Sequence, residues 1–104
     1  MRDIETVVQV GDWKLNKIHN TETNITILSV HEGCEGIGMQ FEQNHYLGGF
    51  KDNKAVYNEL RIHISSYGFI TIDGFNEFIE KQTEARVFAE KAKKYAEDNG
   101  FWID

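Results

Sequence analysis

The sequence predicts an α+β domain: an antiparallel β-sheet of about six strands (hairpin, meander, hairpin) with a C-terminal helix, or two helices, packed on one face. Three observations carry this. Of the 104 residues, 40% are hydrophobic, 27% charged and 12% aromatic, which is a globular composition. Apolar residues alternate with period two up to about residue 72 and follow a helical period beyond it. Turn residues divide the first stretch at hairpin spacing. No repeat, low-complexity tract or linker interrupts the chain. Residues 1–104 therefore read as a single domain: about 5–72 mostly β, about 73–99 helical, and 100–104 a tail that folds back.

Thr6–Val10 and Trp13–Ile18 flank Gly11-Asp12, and glycine first in a two-residue loop predicts a type II′ hairpin. The register pairs Val10 with Trp13 and Val8 with Leu15, one apolar face. His19–Asn24 reads as a polar loop. Ile25–Val30 is apolar on both faces and β-branched, which predicts a central strand. Ile37–Gln43 alternates, with Ile37, Met39 and Phe41 inward. Residues 44–53 read as a loop around Gly48-Gly49. Lys54–Glu59 fits either a helical turn capped by Asp52 or an extended lead-in. Leu60–Ile64 and Phe69–Ile72 predict a second hairpin around Ser66-Tyr67-Gly68, pairing Ile64 with Ile70 and Ile62 with Ile72. That register gathers Arg61, His63, Phe69 and Thr71 on the opposite face.

Asp73 is the expected N-cap of the helical stretch. Phe75, Phe78, Ile79, Ala85, Phe88, Ala89, Ala92 and Ala96 follow at helical spacing. A single helix of this length outruns a compact domain of this size, so a break near Thr83 is expected. Asn99-Gly100 is a stop signal, and Phe101 sits where a Schellman cap places its apolar contact. Trp102 and Ile103 are too apolar to dangle.

Seventeen acidic against eleven basic residues give a net charge of −6, which argues against direct nucleic-acid binding and against anionic membrane surfaces. No apolar run approaches the roughly 18 residues of a membrane span. The first residues lack the apolar core of a signal peptide, and the lone Cys34 has no internal disulfide partner, so a cytoplasmic location is expected. Eleven Ile, eight Asn and eight Lys against five Ala and three Arg suggest an AT-rich gene, as of a phage or mobile element.

No recognisable acid, base or nucleophile arrangement stands in the sequence, so an enzyme is not expected. His31, Glu32, Cys34, Glu35 and His45 are metal-ligand types without metal-site spacing, and no metal or cofactor is expected. Gly33, Gly36 and Gly38 precede a strand rather than a helix, which suits a turn better than a phosphate cradle. Lys91, Lys93 and Lys94 are matched by Glu90, Glu97 and Asp98, as on a solvated helix face.

Two features suit an interface. The segment His45, Tyr46, Leu47 and Phe50 sets large side chains around two glycines in a loop, where aromatic anchors are typical hot spots; the plain alternative is a plug for the sheet end. Arg61, His63 and Phe69 form a second candidate surface. The favoured expectation is a small acidic protein-binding module, an inhibitor or adaptor that blocks or bridges a macromolecular partner. One alternative is a small-ligand-binding domain with a pocket between sheet and helices and His31, Cys34 or His45 at its mouth. Another is a nucleic-acid mimic using the acidic stripe Glu77, Glu80 and Glu84. The sequence leaves the oligomeric state open.

Overall fold

The computed structural model describes residues 1–65 and 68–103. Seven strands and one helix follow in order: β1 (Arg2–Val10), β2 (Trp13–Asn20), β3 (Ile25–His31), β4 (Ile37–Gln43), β5 (Phe50–Lys51), β6 (Lys54–Ala55), β7 (Tyr57–Ile64) and α1 (Ile72–Asp98). The class is α+β, with seven strands in two sheets where the sequence suggested about six. The larger sheet runs β1-β2-β3-β6-β5, and β4 pairs with β7 in a second.

The first hairpin has the expected register, Val10 opposite Trp13 and Val8 opposite Leu15. Gly11 supplies the positive φ of +57° that its turn position requires. The ladder runs on to Arg2 opposite Asn20, so His19 and Asn20 belong to β2 rather than to a loop. A register shift between Thr6 and Val8 lets Val7 and Val8 both reach the core. Beyond β4, residues 54–59 are extended, not helical. Asp52 and Asn53 both take positive φ and close the tiny β5–β6 hairpin.

The expected second hairpin does not form. β7 pairs with β4 instead, setting Leu60, Ile62 and Ile64 opposite Phe41, Met39 and Ile37. Residues 69–71 are not a strand, and Ile72 opens the helix. Local capping outweighs β propensity there. The Thr71 hydroxyl accepts from the Gly74 N–H at 3.0 Å, and the Thr71 carbonyl accepts from the Phe75 N–H. Thr71 is thus the N-cap, not Asp73, which lies in the first turn and favours the helix dipole. Of the expected Ser66-Tyr67-Gly68 loop, Ser66 and Tyr67 lie outside the described residues.

The helix is one unbroken element of 27 residues. At Thr83 the hydroxyl donates to the Ile79 carbonyl at 3.0 Å, so its polar group is satisfied without a break. The length fits because the molecule is elongated, 49 × 28 × 21 Å. The helix ends as a Schellman cap: Gly100 at φ +81° turns the chain and the Phe101 N–H bonds the Ala96 carbonyl. The tail then folds back on β7, with the Tyr57 N–H bonding Phe101 and the Ile103 N–H bonding Tyr57.

One core joins both sheets and α1. Trp13 stacks on Phe88 with ring centroids 5.4 Å apart, and Ala85, Ala89, Ala92 and Ala96 bring the helix close against the sheet. Phe41, Tyr57 and Trp102 close the other side. Phe78, expected at the centre, only packs against its margin.

Candidate interaction surfaces

The 44–50 loop is built from backbone hydrogen bonds around Asn44, the buried polar residue at its base. Its Oδ1 accepts from the Tyr46 N–H at 3.0 Å, and its carbonyl accepts from the Leu47 and Gly49 N–H groups. Its own N–H donates to the Val56 carbonyl, and the Val56 N–H donates to Gly49. Gly48 and Gly49, at φ +67° and +84°, make the reversal possible. The result is a single 3₁₀ turn, His45–Leu47, clamped to fully buried Val56.

This clamp leaves the side chains outside. Tyr46 is 99% exposed, Leu47 and Phe50 are about half exposed, and His45 is exposed. None of the four plugs the sheet end.

The other surface from the sequence is rearranged. Arg61 and His63 lie exposed on the polar face of β7. Arg61 is held by Glu42 at 3.0 Å and Glu59 at 3.4 Å, so it ties β7 to β4. Phe69 is fully exposed, but the hairpin register that set it beside Arg61 and His63 is absent. The acidic stripe is also broken up. Glu77 pairs with Lys81 at 3.2 Å, and the Glu84 carboxylate lies against Gly11.

Trp13, Phe88 and the alanines fill the centre of the helix–sheet space, and a pocket of about 240 Å³ opens at its margin, between the sheet and the C-terminal end of α1, lined by Lys17, His19, Thr26, Lys54, Tyr95 and Phe101 among others. A cleft of about 390 Å³ also lies between β3 and β4, lined by Leu28, Met39, Phe41, Phe50 and Tyr57 among others. His31, Cys34 and His45 are not at its mouth. Among the described residues no three of His, Cys, Asp and Glu converge as metal ligands would. Burial pushes the Cys34 thiol above its ordinary pKa; Lys81 opposes this, while Glu84 and Glu32 add to it. The thiol therefore stays protonated near neutral pH. No described helix is long and apolar enough to cross a membrane.

Apart from Phe69, one set of exposed apolar side chains has no counterpart in the sequence expectations. Ile62, Ile64, Phe69, Ile70, Ile72, Phe75 and Ile79 are all exposed. The strand and helix patterns assign most of these side chains to the core. A signal was present in the helix: Ile72, Phe75 and Ile79 lie about 100° around α1 from the Ala85–Ala96 stripe, counting 3.6 residues per turn. No protein-family model matches the chain, and no curated protein or solved structure is significantly similar to it.

Proposed function

We propose that the chain is a small cytoplasmic protein-binding module, an inhibitor or adaptor whose contact surface is the 44–50 loop. The observation that supports this reading is a fully exposed Tyr46 on a backbone fixed by Asn44, Gly49 and Val56. A rigid aromatic anchor loses little entropy on binding, which is the economy that interface hot spots use. Leu47 and Phe50 would extend the contact around it.

The test is capture of a partner from source-cell lysate by wild type, Tyr46→Ala and Phe50→Ala. Each loop variant should weaken the wild-type complex by about 2 kcal/mol, roughly thirtyfold. The triple change Glu77→Lys, Glu80→Lys and Glu84→Lys should shift affinity slightly, because Lys81 and the Gly11 turn already engage two of the three. Loop variants that bind as wild type, with the triple variant silent, would reject the loop as the contact and mimicry with it.

The cleft between β3 and β4 supports the small-ligand alternative, since its volume falls within the range of about 300–1,000 Å³ typical of ligand sites. A mass increment seen by native mass spectrometry and lost on Met39→Trp would favour it.

A further inference from the structure

We propose that the outer edge of β7 is a homodimer interface, where a second copy of this chain pairs antiparallel along residues 59–65 about a twofold axis at Ile62. The Ser65 N–H bonds the Gly36 carbonyl at 2.8 Å. In an antiparallel ladder the backbone groups of successive residues point to opposite sides. Glu59, Arg61 and His63 therefore aim theirs at β4, while Leu60, Ile62 and Ile64 aim theirs outward. Among the described residues, β7 has partners on that outer side only at Tyr57, where the tail bonds it. Leu60, Ile62 and Ile64 also share a face with Phe41, Met39 and Ile37. One set of residues thus carries both the unpaired backbone and uncovered apolar side chains, Ile62 at 47% and Ile64 at 51% exposure.

Such an edge is a template for another strand, and here no proline or bulge blunts it between residues 59 and 64. Three facts choose the occupant and the register. Residues with outward backbone groups are even-numbered, so a copy related by a perpendicular twofold axis presents matching groups and continues the same apolar face. An axis at Arg61 would set two guanidinium groups opposite each other. An axis at Leu60 would run the incoming strand into the tail at Tyr57. With the axis at Ile62, Ile62 meets its own copy, Leu60 meets the partner's Ile64, and Arg61 meets the partner's His63.

The area also fits a second copy. Among the described residues, seven of the thirteen exposed large hydrophobic side chains lie from Ile62 to Ile79. At on the order of 100 Å² each they offer roughly 700 Å², which would approach the ~800 Å² per partner of a stable interface were a second copy to cover them all. The 44–50 loop begins beyond the Gln43 end of the β4–β7 ladder, roughly 17 Å at the usual strand rise from the axis at Ile62.

Sedimentation velocity should give a dimer at tens of micromolar, and Ile62→Lys should raise the dissociation constant by roughly a hundredfold or more with the circular dichroism spectrum unchanged. Should Ile62→Lys fail to fold, cysteine cross-linking decides. In a Cys34→Ser background, Ile62→Cys should form an intermolecular disulfide readily, because directly paired residues lie about 5.5 Å apart, within disulfide range. Ile64→Cys, four residues out of register with its own copy, should not. A monomeric wild type, a dimer that survives Ile62→Lys, or equal cross-linking at both positions overturns the proposal.

Discussion

The hydroxyl of Tyr57 replaces a β-strand neighbour for Leu28. It accepts from the Leu28 N–H at 3.1 Å and donates to the Leu28 carbonyl at 3.3 Å, in the buried gap where β3 has no further strand beside it. One side chain of the small sheet thereby closes the open edge of the large one. Tyr57→Phe leaves both backbone groups buried without partners, and should cost about 1–3 kcal/mol in a urea titration. A loss no larger than that of a surface change would mean that water reaches this edge.

The same residue sets an alkaline limit. Burial raises the Tyr57 pKa above its ordinary value near 10, with the Leu28 N–H pulling the other way. Below pH 10 folded and unfolded states both hold the proton, and the full stability is present. Above it the unfolded chain loses the proton first, so stability falls as pH rises towards the folded pKa. Thermal melts between pH 9 and 11 should show this fall in the wild type and a weaker one in Tyr57→Phe.

Gly33 lies against the Trp13 indole so closely that a Cβ there would overlap the ring. Trp13 is buried and stacked on Phe88, so it has nowhere to retreat. Gly33→Ala should destabilise the protein by about 1–3 kcal/mol through overpacking, read as a lowered urea midpoint. Gly48→Ala, where the space is open, is the comparison, costing only the strain of its positive φ.

Phe88 is fully buried at the centre of the helix face. Phe88→Ala should cost about 3–5 kcal/mol and lower Tm accordingly. Phe75→Ala, on the exposed stripe of the same helix, should cost well under about 1 kcal/mol in the monomer, as surface changes do.

Thr71→Ala removes the N-cap hydrogen bond to Gly74 and should cost about 1 kcal/mol. Hydrogen exchange should locate the effect, with faster exchange over residues 75–78 and none at Ala92 or Ala96. Uniform acceleration along α1 would show that the helix opens only as a whole.

The sequence by itself determined the elements whose signals are local and agree. Gly11 fixed the turn of the first hairpin, and the Val8–Val10–Trp13–Leu15 face fixed its register. Asn99-Gly100 and Phe101 set the helix stop. Exposure of the 45–50 loop was one of two readings, and only the folded chain, in which Asn44 and Gly49 bond Val56, shows how its side chains lie. What only the tertiary structure decided was the partner of each strand. Leu60–Ile64 had two equally apolar neighbours, Phe69–Ile72 and Ile37–Phe41, and period-two alternation cannot rank them. The Thr71 cap started a helix at Ile72, the last residue of the first, and left β7 to β4. The unbroken helix and the uncovered Ile62–Ile79 surface follow from that choice. An apolar side chain states that burial is favourable, and the assembled chain decides whether anything remains to cover it.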